Sequence, residues 1–425
     1  MVSIEKHLTM KKLLFALSIV ILAQSCETGT PTFCNDGIQN GNELGIDCGG
    51  DCPPCASYSV EGHAQKGPFL NGSSVLLGVL DSNLNQLGTS YTAQILDNSG
   101  YFLFGSTNLA SPYVALRADG FYFNEVCGSP SNAQITLNAV ANVNSVPAVN
   151  VNTLTHLEKA RVEYLVSNGS TFAQAKQQAL QEILNIFNID PSINIASAEL
   201  LSIASSSAAD GVLIAITSIL QGYRSESEFS DLMANLVTDL RTDGVLNSTI
   251  LASELISHAK LLDTTAIRQN IIDRYAAMGI TVNVPNFGQH IQNYIDNTTH
   301  QAQSTVIDYP ETGLNGLNLL NTTDSVYSEW DFHSLVANRP NDCLSLKVVL
   351  KKLSGNCQYG CAFYSVSSVQ NWNISSFNQS TLTQTFISTG LETDLALGFE
   401  YGMYRFEMYI NDETTPSRIK TFQVN

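Results

Sequence analysis

Residues 34–55, CNDGIQNGNELGIDCGGDCPPC, carry four cysteines and very few apolar side chains. A segment this short cannot bury enough surface to fold around a hydrophobic core, so cross-links must hold it. A metal and disulfides are the two candidates. The segment has no histidine, and Asp36, Glu43, Asp47 and Asp51 are hard oxygen donors, which suit zinc poorly. Disulfides need an oxidising compartment. That reading therefore requires an export address elsewhere in the chain.

The N-terminus supplies one. Lys11 and Lys12 precede the apolar run Leu13–Ala23, and small or polar residues follow as Ala23-Gln24-Ser25-Cys26. This is the order of a secretory signal peptide, and the run is too short to span a bilayer as a helix. Leu22-Ala23-Gln24-Ser25-Cys26 resembles a lipobox, although Gln24 is unusual at its position. The resemblance implies a signal peptide over 1–25, lipid on Cys26, and attachment to a membrane, most simply the outer membrane of a Gram-negative bacterium. The plainer alternative is ordinary cleavage that leaves Cys26 for a disulfide. Glu27 stands alone after Cys26, without the acidic cluster of a surface-export tag.

The cysteine count favours acylation of Cys26 over ordinary cleavage. There are nine cysteines, and acylation of Cys26 leaves an even number for pairing. Cys34, Cys48, Cys52 and Cys55 are expected to form two bridges. Cys343, Cys357 and Cys361 are expected to supply one pair. Cys127 and one of those three are then either free or joined across domains.

Calcium is the one cofactor the sequence suggests. Asp36, Asn40, Gly41 and Asp47 fall at the first, fifth, sixth and twelfth positions of a calcium loop, with Asp36, Asn40 and Asp47 as the candidate ligands. Ile38 and Leu44 break the pattern at the third and ninth positions. The alternative is that the Asn and Gly residues make tight turns. The spacing C-x-DG-x-x-NG-x-E-x-G-x-DCGG-x-C-x-x-C resembles a short cysteine-rich segment of exported proteins in Bacteroidetes and related Gram-negative bacteria. That resemblance implies an extracellular spacer without catalysis.

Periodicity divides the remainder into three parts, giving a multidomain chain: a β-sandwich over 58–149, an all-α domain over 150–300 and an immunoglobulin-like β-sandwich over 307–425, all following the anchor and spacer at 26–57. Ser74–Leu80, Tyr101–Phe104 and Tyr113–Ala118 read as strands between turn signals at Asn71-Gly72 and Asn98-Ser99-Gly100. With Asp97, Gly100 and Phe102, this part resembles a transthyretin-like, carboxypeptidase-regulatory-type sandwich. Phe172, Ala175, Ala179, Leu180, Ile183, Leu184 and Phe187 make a helical stripe, opened by a capping box of Thr171 and Gln174. Ser225 and Glu228 suggest a second box. Gly169 and Gly244 suggest helix ends, and Val212–Leu220 reads as a central helix. Six or seven helices are expected. Lys66-Gly-Pro-Phe69, Gly120-Phe-Tyr-Phe-Asn-Glu125 and Asn150-Val-Asn-Thr-Leu-Thr-His-Leu157 are similar to stretches of a Bacteroidetes and myxobacterial lipoprotein family, a likeness that implies architecture and no activity. In the last part, Leu344–Leu350, Gly402–Ile410 and Arg418–Val424 alternate as strands. Trp330 and Trp372 are core anchors there, or surface platforms for sugar stacking.

Chemistry is sparse. The seven histidines form no metal pattern, and no nucleophile elbow or phosphate loop occurs. His156 and Glu158 stand two apart and so do not share a helix face. Asn152 reads as a helix N-cap. Asp239 and Asp243-Gly244 resemble half a calcium loop, which a helix ending at glycine explains. Asp263-Thr264-Thr265 and Asp324-Ser325-Val326 resemble acceptors of Bacteroidetes O-glycosylation. The formal charge of -18 becomes about -20 once Glu5, Lys6, Lys11 and Lys12 leave with the signal, which argues against nucleic acid as a partner. Charged residues are 14% of the chain, against about 25% in ordinary globular proteins. The expectation is a non-enzymatic envelope lipoprotein presenting a binding or adhesive surface, with a glycan or an envelope protein as partner. The alternative is a glycan-binding or glycan-processing accessory protein with its site in the helical domain.

Overall fold

The computed structural model describes residues 32–45, 47–55, 57–260 and 262–301, together with the backbone of eight strands between 318 and 424. The chain clusters into two compact units. One comprises Met1–Ser59 with Gly105–Pro112, the other Val60–Phe104 with Tyr113–Asn425.

In the first unit the cysteine segment is a series of turns, with Gly37, Gly41, Gly49 and Gly50 at positive φ. Gly45 lies so close to Ala110 that a Cβ there would stand 2.5 Å from the Ala110 Cβ. The glycine is required by the approach, not by its backbone angle.

Most of the expected β-sandwich-like region falls in the second unit. Strands β1 (Ser57–Gln65), β2 (Ser74–Leu80), β3 (Gln86–Gln94), β4 (Tyr101–Asn108), β5 (Tyr113–Gly120), β6 (Phe123–Asn124), β7 (Ser129–Pro130), β8 (Ile135–Asn142) and β9 (Val151–Asn152) follow in order. One sheet runs β3-β2-β5-β8, all antiparallel, and a second runs β4-β1-β9. The alternation of the sequence is the alternation of faces: Val75, Leu77 and Val79 of β2 and Val114, Leu116 and Ala118 of β5 are buried. β8 is covered on both faces. Leu137, Ala139 and Ala141 are buried on one side, and Val140 on the other joins Val162, Leu165, Val166, Ala175 and Ala179 in a cluster with the helices.

Seven helices follow among the described residues: α1 (Thr153–Ser167), α2 (Phe172–Ile186), α3 (Ala208–Gln221), α4 (Glu226–Leu240), α5 (Thr249–Ala259), α6 (Thr264–Ala276) and α7 (Gly288–Asn297). Their starts are written locally. Asn152, Thr171, Ser207 and Ser225 each close a full capping box with the residue three positions on. Gly169 at φ 95° follows α1, and Gly244 at φ 73° follows α4, its N–H bonded to Leu240 O. α3 is the central helix, buried from Asp210 through Gln221. Each of its large apolar side chains contributes about 1.5–3 kcal/mol by leaving water. No described helix is long and apolar enough to cross a membrane.

Beyond the helices lie β10 (Asn318–Thr322), β11 (Ser325–Asp331), β12 (Ser345–Ser354), β13 (Tyr364–Ser365), β14 (Thr381–Ile387), β15 (Asp394–Phe399), β16 (Gly402–Ile410) and β17 (Arg418–Val424). They pair antiparallel in two sheets, β10-β11-β15-β13 and β14-β12-β16-β17. Trp330 sits on β11 opposite Leu395. Trp372 and Asp324 lie outside the described residues.

Candidate functional site

The cysteine module carries the first group of candidate residues. Cys34 pairs with Cys52 and Cys48 with Cys55, so the two bridges overlap in sequence. Cys127 is also held in a disulfide. Cys26, Cys343, Cys357 and Cys361 lie outside the described residues. Asp36, Asn40 and Asp47 are brought together, but through their own hydrogen bonds. Asp47 accepts from the N–H groups of Asp36 and Gly37, while Asp36 accepts from Ile38 N at 2.9 Å and from Asn40 Nδ2 at 2.8 Å. Glu43, buried, accepts from the N–H groups of Asn40 and Asp47. These oxygens face donors, as in Asx turns, and a cation there would compete with them. Cys34, Glu43 and Cys52 also converge within 4.8 Å. The two sulfurs are bonded to each other and offer no thiolate.

The three stretches singled out by likeness form the joint between sheet and helices. Lys66 follows β1, and its Nζ lies 2.8 Å from both carboxylate oxygens of Glu125; the side chains are 0% and 3% exposed. The rings of Tyr122 and Phe229 lie 5.0 and 5.8 Å from the ammonium. Tyr122 donates to Gln221 Oε1 of α3 at 3.0 Å. Gly67 is obligatory, because a Cβ would stand 1.8 Å from Phe123 O. Asn152 ends β9 and caps α1, while its Nδ2 donates to Ala198 O at 2.8 Å. Thr155 Oγ1 donates to Asn138 O. His156 Nδ1 accepts from Asn138 N at 3.2 Å, and burial pushes its pKa down to about 4. Lys66, Tyr122, Glu125, Asn152, Thr155 and His156 are all held in these structural contacts.

A buried ionic triad sits beside this joint. Lys176 Nζ of α2 donates to Glu158 Oε1 of α1, to Glu199 Oε2 at 2.7 Å and to Val140 O. Exposures are 9%, 0% and 3% for Lys176, Glu158 and Glu199. Two carboxylates share one ammonium, and Glu158 Oε2 has no partner. Burial raises the Glu158 pKa to about 7, with Glu199 adding to the rise and Lys176 opposing it. Sequence reading overlooked this triad. Its trace is that Lys176 falls among Phe172, Ala175 and Ala179, on the apolar stripe where a solvated lysine does not belong.

Arginines bind main-chain carbonyls at two helix ends and in the loop before α7. Arg224, buried after α3, donates to the carbonyls of Ile219 and Leu220. Arg161 of α1 pairs with Glu182 through two bonds of 2.8 Å and donates to the carbonyls of Arg241 and Thr242, just past α4. Arg268 donates to the carbonyls of Val284 and Pro285. In the loop after α4, Asp239 accepts from the N–H groups of Asn247 and Ser248, and Asp243 accepts from Val245 N and Asn247 Nδ2. The helix-ending account of Asp243-Gly244 therefore describes this loop. Asp263 of the triplet Asp263-Thr264-Thr265 is the N-cap of α6.

A cavity opens among the described helices. It is open to solvent and holds about 460 Å³ between the end of α2, the loop Asp243–Leu246 after α4, and Asn297–His300 at the end of α7. Asn185, Asn188, Thr298 and Thr299 contribute amides and hydroxyls, Glu182 and Asp243 carboxylates, and Ile186, Val245 and Leu246 an apolar wall. No protein-family model matches the chain, and no curated protein or solved structure gives a significant match.

Proposed function

We propose that the chain is a cell-envelope lipoprotein, held through lipid on Cys26 in the outer membrane of a Gram-negative bacterium, which presents a binding surface and performs no catalysis. The observation that carries this reading is the state of its cysteines. Four within residues 34–55 are paired and Cys127 is bonded, which suits an oxidising compartment and the export signal that ends at Cys26. The second support is the fate of the ionisable residues. Lys66, Glu125, Lys176, Glu158 and Glu199 are buried in mutual contacts, out of solvent. The C-terminal strands are read as an immunoglobulin-like sandwich, the module at 34–55 as a spacer, and calcium as an optional ligand of Asp36, Asn40 and Asp47.

The test is fractionation of cells expressing the wild type and Cys26→Ser. The wild type should partition with membranes and the variant should be soluble; equal membrane retention would refute lipidation. The cavity favours the second reading, a glycan-binding accessory protein. That reading requires neutral sugars to bind the helical region.

A further inference from the structure

Lys66 and Glu125 hold an amine and a carboxyl in contact, out of solvent. Lys66 Nζ lies 2.8 Å from both Glu125 oxygens, and the two side chains are 0% and 3% exposed. Both backbones are fixed. Phe123 N donates to Pro68 O and Leu70 N to Phe121 O, so the chain after Lys66 is laced to the chain before Glu125. Asn270 Nδ2 donates to Glu125 O at 3.0 Å, and Phe123 O leaves no room for a side chain at Gly67. Reactants held and oriented in this way reach effective concentrations of about 10⁵–10⁸ M.

The other buried lysine makes the contrast. Lys176 donates to three oxygens, on Glu158, Glu199 and Val140. Burial opposes its charge, but the two carboxylates together outweigh burial and raise its pKa. Lys66 has one carboxylate and the rings of Tyr122 and Phe229. There burial outweighs the counter-charge and lowers the pKa. Of the two, Lys66 is the one biased towards the neutral amine, which is the nucleophilic form. Passing its proton to Glu125 also removes two charges from a low-dielectric site, where each ion carries a desolvation penalty.

We propose that Lys66 and Glu125 condense after folding into an amide, an isopeptide bond between Lys66 Nζ and Glu125 Cδ. The ammonium passes one proton to the carboxylate across the 2.8 Å bond. The carboxyl turns about its last bond and presents Cδ to the amine, which attacks it. The N–C bond forms, the C–OH bond breaks, and the hydroxyl leaves with a second amine proton as water. No oxidant, reductant or cofactor enters. The amide keeps one N–H and one carbonyl oxygen, and both charges are gone. The link ties residues 59 positions apart and closes β2, β3, β4 and β5 into one covalent ring. It is independent of lipid on Cys26, since it uses only residues of the joint.

The test is tryptic mapping of the purified full chain after reduction and alkylation. A lysine in amide linkage is not cut by trypsin, so cleavage after Lys66 should fail. Stretches 67–117 and 118–159 have no internal lysine or arginine. They should emerge joined in one branched peptide, lighter by one water than the sum of its parts, and fragmentation should place the amide on Lys66 and Glu125. Glu125→Ala should restore cleavage after Lys66. Glu226→Gln, which removes the other carboxylate whose charge reaches Lys66, should leave the link intact. Release of 118–159 as a free peptide from the folded wild type, or an amide on Glu226 in place of Glu125, would overturn the proposal. The wild-type map decides the matter even where Glu125→Ala fails to fold.

Discussion

Replacing Glu158 by glutamine should stabilise the protein at neutral pH, although it removes one arm of a buried salt bridge. Two carboxylates share the Lys176 ammonium, so the triad holds one buried negative charge in excess when all three are ionised. Burial displaces the Glu158 pKa from 4.5 to about 7, a difference of about 3 kcal/mol between its two protonation states. Between those values the folded state binds more protons than the unfolded chain, so this residue makes stability fall as pH rises through the window. The full penalty applies above pH 7, and none applies below 4.5. Glutamine carries no such penalty, but its amide N–H groups would occupy the place of the unpartnered Glu158 Oε2, at a cost of about 1 kcal/mol. The two stability curves should therefore cross. The variant should be about 1 kcal/mol less stable than the wild type below pH 4.5 and about 2 kcal/mol more stable above pH 7. Urea denaturation across the window measures this, with hydrogen exchange of the α1 amides assigning the change to that helix. Parallel curves, or a variant that loses stability above pH 7, would refute the reasoning.

Other consequences are simpler. Gly67→Ala drives a Cβ onto Phe123 O and should cost about 3 kcal/mol or more, read as a lowered melting temperature or loss of soluble protein. Asn152→Ala loses the cap on Thr155 N and the bond to Ala198 O, and should cost about 2–3 kcal/mol in denaturant titration. Paired replacement of Cys34 and Cys52 by serine should remove about 3 kcal/mol from the module; limited proteolysis should then cut within 32–55 while Val60–Phe104 stays protected, and an uncut module would count against covalent support.

What was legible in the sequence was local. The capping boxes at Thr171 and Ser225 are contacts three residues apart, and the fold realises both. Strand β2 matches its predicted range because alternation and a neighbouring turn bound it on each side. The joint was only half legible. The stretches bearing Lys66 and Glu125 stood out, yet nothing in either one announces a partner 59 positions away. Disulfide pairing was illegible for the same reason: four cysteines allow three connectivities, and backbone turns choose among them. The alternative reading placed a site in the helical domain, but the walls of the cavity escaped, because they come from three separated helix ends that meet only after folding. Lys176 was discoverable. A lysine on an apolar stripe asks for a buried counter-charge, and α1 offered Glu158.

Asn152 belongs to β9 and caps α1, so strand passes into helix without an intervening residue. β9 is itself paired in parallel with β1, through Ala64 with Val151 and Gln65 with Asn152. A hinge needs a few residues free to rotate, and here there are none. Sheet and helices must then behave as one lever: a pull along β1 is delivered straight to the cap of α1, and any motion that a ligand induces in the helices has a rigid path back to β1.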